Sequence, residues 1–209
     1  MLKSIVSLLT LASLAFAAPS SSLEKRLEFS GPHPPGFNIT SLGVLGTGCP
    51  PGSAYYSINP DKTTVKVEFS GFIAEAGPGI AIRNNRKACQ LTLGVSVPAG
   101  FAFGVDTVDY RGDYQLGSGV TASHQTFYYF QGQLVQATAS STIIGPASSG
   151  DYNPGPPFDL ASTVTSPCGV STVLNINSDV RVSNSANKTA SGYISMTSIL
   201  PLNLQWRTC

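Results

Sequence analysis

Charge is the first thing this sequence lacks. Of its 209 residues only 11% are Asp, Glu, Lys or Arg, against about 25% in an ordinary globular domain. The 12 basic and 11 acidic side chains nearly cancel, so no polyelectrolyte footprint exists and a nucleic-acid partner is not expected. Histidine is scarcer still, with His33 and His124 the only examples. With no Cys-x-x-Cys pair to join them, no metal site and no cofactor are expected. A Gly-x-Ser-x-Gly nucleophile elbow is missing. Beyond the first residues there is no helical periodicity, and no apolar run is long enough to span a bilayer.

Glycine (21) and proline (15) are plentiful, and with abundant Ser and Thr they read as short strands joined by turns. The strongest strand signal runs from Arg86 to Pro98. There Cys89, Leu91, Leu93, Val95 and Val97 alternate with smaller or more polar residues until Pro98 stops the pattern. This is read as a central strand. Thr63, Val65, Val67 and Phe69 repeat the alternation, and further strands are expected over 101–110, 114–120, 123–130, 134–144, 170–182 and 189–206. The expected fold is an all-β antiparallel sandwich of roughly nine or ten strands with no substantial helix after the leader. Residues 27–48 read as an extended arm, Arg111-Gly112-Asp113 as a turn, and 148–157 as a long loop holding Tyr152.

The N-terminus reads as processed. Residues 1–17 have the form of a secretory signal: Lys3, then an apolar stretch, then Ala15-Phe16-Ala17 as a small-x-small cleavage site. Residues 18–26 end in the dibasic pair Lys25-Arg26, which a late-secretory processing protease reads, leaving a single domain over 27–209. The charged residues Lys3, Glu24, Lys25 and Arg26 precede that point, so the mature chain carries 9 basic and 10 acidic groups. The expected location is extracellular, in the medium or at the cell wall.

Secretion gives the four cysteines their meaning. Cys49, Cys89, Cys168 and Cys209 are expected to form two disulfides. Of the three connectivities, 49–89 with 168–209 is preferred, because it pairs neighbours and closes two loops of similar length. Asn38-Ile39-Thr40 and Asn187-Lys188-Thr189 are glycosylation sequons.

Several motifs recur together in this order: Gly48-Cys49-Pro50 with Gly52-Ser53, Phe69-Ser70-Gly71-Phe72, Gly77-Pro78-Gly79 and Arg86-Lys87-x-Cys89-Gln90-Leu91. They are followed by Tyr110-Arg111-Gly112, Tyr129-Phe130-x-Gly132, Ser166-Pro167-Cys168 and Leu204-x-Trp206-Arg207-x-Cys209. This set resembles the fungal secreted family named domain of unknown function 4360. The resemblance implies a small β-rich secreted protein and brings no catalytic residues with it.

Catalytic readings are weak. His124 is expected to face solvent on a strand, and Asp106 and Asp109, the carboxylates of a conceivable hydrolase, point to opposite faces if their strand is regular. The chain is therefore expected not to be an enzyme. Binding reads better. Phe127-Tyr128-Tyr129-Phe130 puts two aromatics on each face of one strand, and Tyr128, Tyr129 and Tyr152 are candidates for stacking on a sugar or anchoring a protein. Arg83, Arg86 and Lys87 form the only basic cluster and suit an acidic partner or an acidic surface polymer. The first reading is an effector-like binder of an extracellular protein such as a protease, inhibiting it through rigid loops at 31–53, 76–87 and 145–157. The alternative is a module for cell-wall polysaccharide.

Overall fold

The computed structural model describes residues 28–29, 33–152 and 164–209. The leader 1–17, the segment 18–26 with Lys25 and Arg26, and residues 153–157 of the expected loop lie outside the described residues. The described part has eleven strands and one 3-10 turn at Ile82–Asn84. The first five strands are β1 (Glu28–Phe29), β2 (Asn38–Leu45), β3 (Ala54–Ile58), β4 (Thr64–Ala76) and β5 (Arg86–Ser96). The next three are β6 (Phe101–Leu116), β7 (Thr121–Phe130) and β8 (Gln136–Ile144). The last are β9 (Ala147–Tyr152), β10 (Thr172–Ser183) and β11 (Gly192–Thr208).

The strands form two antiparallel sheets. Sheet I has the order β3-β4-β11-β6-β9, with β1 also pairing β11; sheet II has the order β2-β5-β10-β7-β8. Both chain periods and register follow from a single rule: each strand sends alternate side chains into the space between the sheets. β7 obeys it strictly, burying Ala122, His124, Thr126, Tyr128 and Phe130. On β5 the inward set is Cys89, Leu91, Leu93 and Val95, and on β4 it begins with Val65, Val67 and Phe69. Across the gap Phe103 of β6 meets Phe130 of β7 edge to face at 5.2 Å, and Phe37 meets Trp206 at 5.0 Å. Each such ring contributes about 1.5–3 kcal/mol by leaving water.

The β-sandwich is thus as expected, and four local expectations are corrected. The arm at 27–48 contains β2, an edge strand in which Ile39, Leu42 and Val44 pack on the core but a register shift between Ile39 and Ser41 breaks their alternation. The loop at 148–157 begins as β9, a polar strand laid against β6. Arg111-Gly112-Asp113 is no turn but the middle of β6, where Gly112 pairs with Met196. A Cβ at Gly112 would lie 2.1 Å from the Ser195 carbonyl oxygen, so glycine permits the close approach. Finally, β5 lies second from the edge of its sheet, and β10 takes the central place. In sheet I the middle strand is β11, whose register shifts on both sides between Ile199 and Leu202, at Pro201, a residue with no amide hydrogen to donate.

The disulfides join Cys49 to Cys89 and Cys168 to Cys209, closing 40 and 41 residues respectively. The first is buried in the core and the second lies at the surface.

Candidate functional site

The rule that fills the core also writes the outer face of sheet II. Cross-strand register sets four rows over β5, β10 and β7: Arg86–Arg181–Ser123, Ala88–Asp179–Gln125, Gln90–Asn177–Phe127 and Thr92–Asn175–Tyr129. Amides, hydroxyls, two aromatic rings and a charge cluster therefore share one surface. Asn175 and Asp179 are nonetheless buried, which an outward-facing polar side chain on a flat, bare sheet would not be. Gln90 covers one of them, its Nε2 donating to Asn175 Oδ1 at 3.2 Å.

A cleft of about 530 Å³ opens in this face, within the range of small-ligand sites. Gln90, Asn177 and Asp179 line it, with Arg86 at one end, Phe127 on one side and the turn Leu45–Gly46–Thr47 on the other. That turn is held tightly to β5. Gly48 N–H donates to the Ala88 carbonyl at 2.8 Å, and Ala88 N–H donates to Thr47 Oγ1 at 3.1 Å. Gly46 fits only because it lacks a Cβ, which would come within 2.2 Å of the Ala88 oxygen. The Cys49–Cys89 disulfide fixes the same wall from behind.

Two features of the cleft are unfinished. Asn177 donates through Nδ2 to the Tyr129 hydroxyl at 3.4 Å, but its buried Oδ1 has no hydrogen-bond partner among the described residues. Turned over, the amide would leave its NH2 in that place, so an unpaired amide atom remains in either orientation. Asp179 accepts from Arg86 Nη2 at 3.2 Å and from Arg181 Nε at 2.9 Å. The carboxylate side chain is 8% exposed and the two arginines 56% and 52% exposed.

The residues singled out in the sequence are dispersed by the fold. Arg86 and Tyr129 reach the cleft face. Tyr128 does not: it is adjacent to Tyr129 on a strand, so it points the opposite way and lies in the core. Tyr152 is also buried, its ring 5.8 Å from that of Tyr114. These two assignments are corrected, and Phe127, two residues before Tyr129, is the aromatic that shares its face. Arg83 stands exposed on the 3-10 turn, and Lys87 lies off the face with its Nζ donating to Asn84 Oδ1 at 3.1 Å. Asn38 is exposed and accepts from Lys62 Nζ at 2.7 Å, while Asn187 donates to the Ser118 carbonyl at 2.9 Å. Asp109 is paired with Arg111 at 2.8 Å, and the Asp106 side chain lies outside the described residues. Sequence reasoning missed Asp179, Arg181 and Asn177. The outward period of residues 173–181 was the signal available for them.

His124 overturns its own expectation. It is buried, not solvent-facing, with Nε2 2.9 Å from Thr126 Oγ1, which lies 2.9 Å from Ser178 Oγ. Tyr110 packs on the imidazole edge to face at 4.5 Å. Burial lowers the His124 pKa to about 4, an effect that the charge of Asp179 offsets in part. The same burial raises the Tyr110 phenol, against the nearby Thr126 and Ser178 hydroxyls. The chain of imidazole and hydroxyls has the makings of a nucleophile relay; His124 and Thr126 are buried between the sheets, and Ser178, also buried, is the member that borders the cleft.

A family model described as domain of unknown function (DUF4360) matches residues 35–209. An uncharacterized secreted protein of Arthroderma benhamiae is 33% identical over 205 residues, covering 92% of this chain and 83% of the relative. With that relative and no free cysteine among the described residues, the chain is a secreted protein. Among solved structures it is similar to TmCBM61 in complex with β-1,4-galactotriose, at 12% identity and a TM-score of 0.27, covering 82% of this chain and 91% of that one. It is also similar to a family 11 carbohydrate-binding module from Clostridium thermocellum in complex with a mixed-linked tetrasaccharide. There the identity is 7% and the TM-score 0.23, with 78% and 89% of the two chains covered.

Proposed function

The chain belongs to the DUF4360 family, and from that premise we propose that it is a non-catalytic extracellular protein that binds a sugar polymer across the outer face of sheet II. The observation that carries this reading is the cleft itself. The amides of Asn177 and Gln90 and the ring of Phe127 line it, the Asn177 Oδ1 being buried without a partner among the described residues, and Gln125 and Tyr129 extend the same face of the sheet. Sugars present hydroxyls that exchange donor and acceptor roles with amides, and C–H faces that stack on aromatic rings. Asp179 is the single carboxylate among the residues that line the cleft, and two arginines hold it, so the pair of carboxyl groups needed for glycoside cleavage is not assembled there.

The protease-inhibitor reading draws no support from the fold. Two of the three loops it relied on contain strands, β2 within 31–53 and β9 within 145–157. Affinity electrophoresis through gels holding neutral and acidic polysaccharides tests the proposal. Retardation by at least one polymer, abolished in Phe127→Ala and reduced in Asn177→Ala, is the expected result. Unretarded migration in every gel would sink it.

A further inference from the structure

Resting on that reading of the face, we infer that the bound sugar carries an anionic group, a carboxylate or sulfate, gripped by Arg86 and Arg181. The two arginines are direct cross-strand partners on β5 and β10. Like charges so placed repel each other and weaken a sheet. Asp179, one step along β10, relieves part of this by accepting from both. One carboxylate shared by two guanidinium groups still leaves one unit of positive charge. It is concentrated at the end of the cleft, and each arginine is held to Asp179 through a single nitrogen. The remaining N–H donors of two half-exposed, pre-oriented forks are disposed to take an anion in bidentate fashion. Asp179, itself buried, is a positioning residue: it aims the arginines and does not meet the sugar. Gln125 stands opposite Asp179 and Ser123 opposite Arg181, adding neutral donors on the β7 side. The distances from this end to Asn177 and Phe127 are spanned by successive rows of one face, so an anionic residue and a neighbouring sugar ring of one polymer can be held together.

The test is a calorimetric titration of the intact secreted chain with oligogalacturonate, sulfated dextran and an uncharged glucan at constant salt. The inference expects at least tenfold tighter binding to one anionic polymer than to the glucan. Arg86→Ala and Arg181→Ala each lose at least tenfold on that polymer, and Arg83→Ala, a cation off the face, loses nothing. Which anionic arm responds separates carboxylate from sulfate. Arg86→Gln and Arg181→Gln replace the alanine variants where thermal melts show unfolding, since they retain bulk beside Asp179. Equal affinity for charged and neutral polymers, wild-type affinity in both arginine variants, or an equal loss in Arg83→Ala overturns the inference. Glucan binding that depends on Phe127 while the arginine variants stay silent removes the anion and leaves the sugar-binding reading standing. No binding to any polymer removes both.

Discussion

On the outer face of sheet I most described charges are paired, Glu75 being the exception among the described residues. Lys66 meets Glu68 at 2.7 Å, and Arg111 meets Asp109 at 2.8 Å. Asp113 accepts from Ser195, and its carboxylate also raises the Tyr193 phenol by accepting its hydroxyl hydrogen bond. The outer face of sheet II is built by the same alternation but ends differently. It keeps an amide atom without a partner, two arginines on one aspartate, and two aromatic rings beside them. Polar groups that satisfy one another make a closed surface, because a ligand must first break what is there. Groups left unsatisfied hold interaction energy in reserve for a ligand that matches them. Cleft size does not distinguish the faces: a second cleft of about 550 Å³, lined by Glu75, Gln115 and Tyr193, lies on the sheet I side.

The comparison can be broken in stages. The largest effect is expected from the disulfides. Cys49→Ser with Cys89→Ser removes a link closing 40 residues and costs about 4 kcal/mol in the chain-entropy description. Because that link backs the cleft wall, the folded fraction should also bind sugar polymer more weakly. Removing Cys168 and Cys209 costs a similar amount, about 4 kcal/mol, yet binding per folded molecule should be unchanged. Equal binding losses in the two variants would erase the asymmetry between the faces.

Next comes pH, which acts on the interior that both faces share. His124 binds its proton less readily folded than unfolded, with a pKa falling from 6.5 to about 4. Its neutral form therefore supports the fold above pH 6.5, and that support is lost as pH falls from 6.5 through about 4. The full loss is about 3 kcal/mol. Urea melts across this window should show the slope, and His124→Gln should flatten it. A slope that survives the substitution assigns it to other groups.

A smaller effect belongs to one face alone. Asn177→Ala should weaken polymer binding about tenfold, the weight of one buried hydrogen bond, about 1.4 kcal/mol, with little change in the melt. The smallest is Lys66→Ala on sheet I, which removes an exposed ion pair worth less than about 0.5 kcal/mol and should not touch binding. A binding loss there would show that sheet I takes part after all.

Where burial is one-sided, the sequence was readable. The alternations of Val65, Val67 and Phe69 on β4 and of Cys89, Leu91, Leu93 and Val95 on β5 name their inward residues, since each has the core on one side and water on the other, whereas the polar inward residues His124 and Thr126 of β7 disguise the same period. β2 and β9 were unreadable for other reasons: in β2 a register shift between Ile39 and Ser41 breaks the period of the residues that pack on the core, Ile39, Leu42 and Val44, and in β9 Ala147-Ser148-Ser149-Gly150 offers no apolar side chain larger than alanine. Part of the face was legible as well. Arg86 at the cleft and Tyr129 on the same face were named, and the opposed facing of Tyr128 and Tyr129 was implied by their adjacency. Asp179, Arg181 and Asn177 reach the site through pairings of β10 with β5, whose partners Ala88, Arg86 and Gln90 lie far away in sequence. Such a register is set by core packing over the whole sheet and leaves no local mark.

The central place of β10 constrains how this segment can diverge. Its inward residues Leu174, Ile176, Val180 and Val182 fill the core, and its outward residues Asn175, Asn177, Asp179 and Arg181 form the outer face, with Asn177 and Asp179 lining the cleft. Substitution on the outward set can retune ligand choice while the fold stays intact. A single inserted or deleted residue exchanges the two sets, driving arginine inward and leucine out at one stroke. Relatives should therefore vary freely here in chemistry and hardly at all in length.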